Sequence, residues 1–124
     1  MILLTPDLRE RLLANGRRHG LDHVPVVKFF NPLGIGTWLA TELDEDGDTL
    51  YGLADLGEPE LGSFSLAEMQ EVELPLGMGI ERDILFEGEY PLSVYAHAAR
   101  IAGRIVTGER ALRAAVAALQ REQQ

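Results

Sequence analysis

The hydrophobic rhythm changes several times along the chain, and each change marks an element. Leu8, Leu12 and Leu13 share one helical face behind Thr5-Pro6. A threonine that accepts a backbone N–H, followed by a proline whose missing donor costs nothing at the first helical position, starts a helix. Asn15-Gly16 stops it, which predicts a helix over about 6–15. Arg17 to Asp22 is polar enough for a loop. From Val24 the composition turns β-branched and aromatic through Val26, Val27, Phe29 and Phe30, up to the turn signal Asn31-Pro32-Leu33-Gly34. That stretch reads as a strand. Thr37–Leu43 and Thr49–Asp55 read as two more, and Asp46-Gly47 between them is a hairpin signal because both residues tolerate positive φ. A β-meander through at least residue 64 is expected.

Ser65-Leu66-Ala67-Glu68 matches a capping box and predicts a helix of about two turns to Val72, before Pro75. Ile80, Arg82, Ile84 and Phe86 alternate and predict a further strand. Pro91-Leu92-Ser93 opens an alanine-rich helix to about Ala102, and a last helix is expected over about 108–120. Within that tail Ile105, Leu112 and Leu119 recur at sevens with Val116 between them, a stripe that predicts an interface, possible as a homodimer contact. The fold class expected is α+β. A mainly antiparallel sheet of about five strands spans about 24–86, with an N-terminal helix, a short inserted helix and a C-terminal helical pair packed on one sheet face. At 124 residues, 46% hydrophobic and 25% charged, the chain is sized for one domain with its own core. Residues 1–103 form that α+β domain, and 104–124 a helical extension packed on it or held at an interface.

Charge alters this picture more than composition does. The formal net charge is −9, which excludes a general phosphate-tracking nucleic-acid binder. Glu42 through Glu89 holds fifteen acidic residues against the single base Arg82, so this block carries −14 while both flanks are weakly basic. There is no cysteine, which excludes disulfides, thiolate nucleophiles and cysteine-ligated metals. The N-terminus lacks the shape of a secretory signal and no window reaches the apolar length of a membrane span, so a cytoplasmic location is expected.

Candidate chemistry is sparse. Asp44, Asp46, Asp48 and Asp55 imitate the spacing of an EF-hand loop, but Thr49 stands where that loop needs glycine and both flanks read as strand, so a solvated turn is expected. His19 and His23 are four apart, yet Gly20 and Pro25 argue against a helix to present them together to a metal. No nucleophile elbow or phosphate-binding glycine loop is present, and neither a metal site nor a cofactor is expected. Acids two apart recur as Asp44/Asp46/Asp48, Glu58/Glu60, Glu71/Glu73, Glu81/Asp83 and Glu87/Glu89. On a strand such residues share a face about 6.6 Å apart, near the spacing of nucleic-acid phosphates. An acidic sheet face of this kind would suit the DNA groove of another protein.

Three stretches belong together as a set. They are Lys28-Phe29-Phe30-Asn31-Pro32 with Thr37-Trp38-Leu39-Ala40-Thr41-Glu42; Tyr51 to Gly57 with Glu60-Leu61-Gly62 and Ser65 to Glu68; and Ile80-Glu81-Arg82-Asp83 ending in Phe86. In this order they resemble the bacterial domain-of-unknown-function family two nine five eight, over about residues 4–100. The resemblance implies a protein of plasmids and other mobile DNA, encoded near antirestriction, methylase or replication genes, and brings no biochemical activity with it. Its matching stretches single out Lys28, Thr41, Glu42, Asp55, Glu60, Glu81, Arg82 and Asp83 as a candidate interaction surface. The expected function is a non-enzymatic accessory protein that meets a basic or nucleic-acid-binding host protein, in its sharpest form an antirestriction DNA mimic. The alternative is a small enzyme that uses a carboxylate cluster on the sheet.

Overall fold

The computed structural model describes residues 1–123. Helix α1 spans Pro6–Gly16, and Thr5 caps it by accepting the Leu8 N–H. Four strands follow as a meander: β1 Val27–Phe30, β2 Thr37–Leu43, β3 Thr49–Asp55 and β4 Pro59–Ser65. Helix α2 (Leu66–Glu71) leads through a single 3-10 turn at Pro75–Gly77 to β5 (Glu81–Arg82), which returns to pair with β1. Helices α3 (Leu92–Ala102) and α4 (Glu109–Glu122) complete the chain. The sheet runs β4-β3-β2-β1-β5 with every pairing antiparallel, and the fold is α+β.

The C-terminal helical pair packs on one face of this sheet, and the N-terminal and inserted helices cover the other. Trp38, Ala40, Val27, Phe29 and Leu50 point to the side occupied by Leu12 of α1 and by Leu66 and Met69 of α2. Leu39 and Leu53 point the other way, into Leu92, Tyr95 and Ala99 of α3 and Leu112 and Ala115 of α4. A strand buried on both sides loses its polar alternation, and six of the seven residues of β2 are buried. Three of the five groups of acids two apart lie off the sheet, while Glu58/Glu60 is exposed at edge strand β4 and Glu81/Asp83 stands at β5. Asp44, Asp46 and Asp48 sit in the β2–β3 turn, Glu71/Glu73 straddles the end of α2, and Glu87/Glu89 lies in a loop.

One further expectation is corrected. The strand foreseen over 80–86 pairs only at Glu81 and Arg82, because the Asp83 carboxylate accepts the Leu85 N–H and the Asp83 carbonyl the Phe86 N–H, closing a turn. In the stripe of Ile105, Leu112, Val116 and Leu119, Ile105 and Leu112 are buried in the core shared with α3, Leu39 and Leu53, and Val116 and Leu119 are half-buried beside them.

Candidate functional site

A β-bulge builds the most polar part of the interior. Ala40 pairs with Gly52 and Glu42 with Tyr51, so Thr41 is an extra residue in β2. Strict alternation after Ala40 would turn Glu42 toward α1 and Leu43 toward α3. The bulge reverses both. Leu43 enters the core under α1, and Glu42 comes to lie beside Tyr51 on the α3 side. Thr41 is held from both ends, its hydroxyl donating to the Tyr51 carbonyl (3.2 Å) and its carbonyl accepting from Asn15 Nδ2 at the end of α1 (2.9 Å). Gly16 is required next to it, since a Cβ there would stand 2.3 Å from the Leu43 carbonyl oxygen.

Glu42 is only 4% exposed, and a buried carboxylate needs a partner. His19 supplies it from the loop after α1: Nδ1 lies 2.8 Å from Glu42 Oε1, and the ring meets Tyr51 edge-on at 6.2 Å between centroids. The hydrogen bond to Glu42, and then its charge, hold the His19 pKa above the ordinary histidine value. The His19 side chain is itself 73% exposed, so its second nitrogen faces solvent. His19–Glu42 is thus a carboxylate-oriented imidazole, the arrangement that poises a proton carrier. Among the described residues no hydroxyl lies within hydrogen-bond distance of His19 to act as a nucleophile.

A small cavity of about 130 Å³ opens beside it, lined in part by Asp22, His23, Glu42, Tyr51 and Ser93. Its polar groups are spent on structure. Asp22 accepts the Ser93 N–H and hydroxyl at the start of α3, and His23 Nε2 donates to the Arg18 carbonyl. Segment 19–23 is therefore a strap from α1 to α3, further secured by the Leu92 N–H to the His23 carbonyl. The two histidines have separate partners, and no group of three metal-ligating side chains occurs among the described residues.

The remaining residues singled out by sequence are scattered. Asp55 is buried at the far end of β3, where Oδ2 accepts the Ile105 N–H and Oδ1 the Gly57 N–H, each within 3.0 Å. Arg82 turns to the α1 side, and its Nη1 donates to the carbonyls of Ile2 and Leu3, fixing the N-terminal segment on β5. Lys28 stands 3.8 Å from Asp83 on the α3 side. Glu81 pairs with Phe30 at the β5 edge, and Glu60 is exposed on edge strand β4. The structure thus brings together Thr41 with Glu42, and Lys28 with Asp83 beside Glu81 and Arg82, but leaves Asp55 and Glu60 apart. Of the five principal cavities, one takes Glu42 and another Asp83, and none takes two of Glu42, Asp55, Glu81 and Asp83.

The turn acids also have internal duties. Asp46 accepts from the N–H groups of Asp48 and Thr49 and from the Thr49 hydroxyl, which together hold its carboxyl below its usual pKa. Asp48 accepts from the Ser65 hydroxyl and the Ala67 N–H, bracing the start of α2 from the turn before the adjacent strand. Near α4, Glu109 accepts from the Tyr90 hydroxyl (2.6 Å) and Arg113 Nε (2.8 Å), which lowers its pKa. Hydrogen bonding to Glu109 raises that of Glu89. His19 and Tyr51 were not singled out with Glu42 by sequence reasoning, since nothing local shows that residue 19 returns to a bulge at 41.

No curated protein and no solved structure matches the chain. A family model described as protein of unknown function (DUF2958) matches residues 3–106, which takes in both faces of the sheet, the His19–Glu42 pair and all of α3. The chain therefore belongs to the DUF2958 family.

Proposed function

We propose that the chain is a non-enzymatic accessory protein of mobile genetic elements that works in the cytoplasm by presenting its acidic surface to a basic, nucleic-acid-binding host protein. One observation carries this reading. Of the fifteen acids between Glu42 and Glu89, ten are exposed, and none of the ten forms an ion pair among the described residues. Such an uncompensated field steers a cationic partner and resists self-association through the same surface. The hairpin turn at Asp44–Asp46 and Glu68 of α2 lie on one rim, because Asp48 ties that turn to the start of α2. In its sharpest form the reading makes this rim a stand-in for a phosphate backbone, presented to a restriction or defence protein.

The test is capture of host proteins on the intact chain at low and high salt, with restriction digestion assayed in parallel. Charge reversal belongs at exposed positions, as Glu60→Lys, Glu68→Lys and Glu71→Lys combined, because Glu42 is buried. A salt-sensitive DNA-binding protein lost with the triple variant supports the reading. Unchanged digestion together with an unchanged captured set overturns it. Self-association belongs to the same proposal: with Ile105 and Leu112 inside the chain's own core, a homodimer uses the half-exposed flanks of Val116 and Leu119. Sedimentation of wild type as a dimer and of Val116→Asp/Leu119→Asp as a monomer supports it, and a monomeric wild type refutes it.

A further inference from the structure

One broad concavity carries the opposite sign to the net charge of the molecule. It is an open groove of about 720 Å³ between β1, the α3–α4 connection and the first turns of α4. Its basic positions are Lys28, Arg104 and Arg110; its apolar lining includes Ile105, Val106, Ala111 and Ala114. None of its lining residues is acidic, on a chain of net charge −9. Arg104 and Arg110 are exposed and have no hydrogen-bond or ion-pair partner among the described residues. The nearby carboxylates are otherwise engaged: Asp55, buried, with the N–H groups of Ile105 and Gly57; Asp83 with Lys28 at 3.8 Å, itself longer than a hydrogen bond; and Glu109 with Tyr90 and Arg113.

We infer that this groove is a binding site for a small amphipathic anion, a long-chain carboxylate whose head group meets Arg104, Arg110 and Lys28 while its chain covers Ile105, Val106, Ala111 and Ala114. The volume is in the range of small-molecule sites. Guanidinium groups suit a carboxylate because their paired N–H donors match its two oxygens. The apolar lining is aliphatic, with no aromatic ring to stack on, which favours an alkyl chain over a nucleobase. The acidic surface invoked for a basic protein partner shares none of these residues, so either assignment stands or falls without the other.

The experiment titrates the full chain with dodecanoate below its micelle concentration, by calorimetry and by amide chemical shifts, with dodecanol and acetate as the uncharged-chain and head-only controls. Dodecanoate is expected to saturate one site and to shift the amides of Ile105, Val106, Gly108 and Ala111. Dodecanol should bind at least about tenfold more weakly, and acetate not measurably. Arg104→Glu/Arg110→Glu, at two exposed positions, should weaken dodecanoate at least about tenfold with the fold intact by circular dichroism. If that variant fails to fold, Ala114→Leu fills the groove without a charge change and should weaken binding in its place. Equal affinity for dodecanoate and dodecanol, insensitivity to these variants, or shifts confined to another surface overturns the inference. So does Arg-dependent binding of a glutamate-rich peptide with none of dodecanoate, which would make the groove a protein contact.

Discussion

Asp55 offers a direct separation of structural from functional acidity. Its two oxygens accept the N–H groups of Ile105 and Gly57, and the first of these bonds is buried and joins the sheet to the α3–α4 connection across 50 residues of sequence. Replacing Asp55 by Ala removes both acceptors and leaves the Ile105 N–H without a partner. Hydrogen bonds to a charged group contribute about 1.5–3 kcal/mol each, and the exposed Gly57 donor recovers water, so the expected loss is about 3 kcal/mol. Asp55→Asn keeps one oxygen, which the buried Ile105 N–H takes, and sets an amide NH2 toward the Gly57 N–H at the surface; about 1 kcal/mol is expected. With about 2.1 cal/mol/K of unfolding entropy per residue, a chain of this length loses about 4 °C per kcal/mol, hence about 12 °C for Ala and about 4 °C for Asn. Thermal unfolding followed by circular dichroism at neutral pH reads both. An Ala variant within about 2 °C of wild type refutes the argument, and so does an Asn variant as unstable as the Ala one, which would mean that charge and not acceptor geometry matters.

Other expectations follow from the same contacts. Gly52→Ala places a Cβ 1.8 Å from the Leu39 carbonyl oxygen in the middle of the sheet and should cost more than about 4 kcal/mol, whereas Gly62→Ala, with nothing within 4 Å, should change stability by less than about 1 kcal/mol; urea unfolding of the pair checks this. Leu76 is 92% exposed at φ 64°, so Leu76→Gly loses no burial and should raise stability by about 0.5–1 kcal/mol, read as a higher urea midpoint. The His19 pKa is raised in the folded state, chiefly by its hydrogen bond to Glu42, so the stabilisation it brings is fully present below the unfolded histidine value and is lost as pH rises through the folded value. Urea midpoints of wild type and His19→Gln between about pH 5.5 and pH 9 should converge as pH rises; a gap independent of pH would refute the linkage.

Local signals carried much of the architecture. Thr5-Pro6, Asp46-Gly47 and the Ser65–Glu68 box each stand where a cap or turn needs them, because those devices are written in adjacent residues. What stayed hidden depends on distant chain. The near-continuous apolar run of β2 records two covered faces, but a sequence does not say which helix lies over which. The extra residue at Thr41 shifts the alternation that decides where Glu42 points, and its hydroxyl and carbonyl partners come from Tyr51 and Asn15. Arg82, flanked by Glu81 and Asp83, reads locally as a neutraliser of acids; its actual acceptors are two backbone carbonyls some 80 residues earlier. The candidate residues were thus mostly real tertiary contacts, although spread over the molecule and not gathered at one surface.

The two-sided cover of the sheet also sets an order in time. The lid over Leu39 and Leu53 comes mainly from α3, α4 and their connection, with Phe86 and Tyr90 beside them, and 67 residues separate the end of β3 from the end of α4. At about 5–20 residues per second the ribosome takes roughly 3 to 13 s over that distance, far longer than a hairpin needs to pair. A nascent meander therefore waits with one bare hydrophobic face, a natural client for a chaperone. Loss of the C-terminal quarter would then be felt first as aggregation during synthesis.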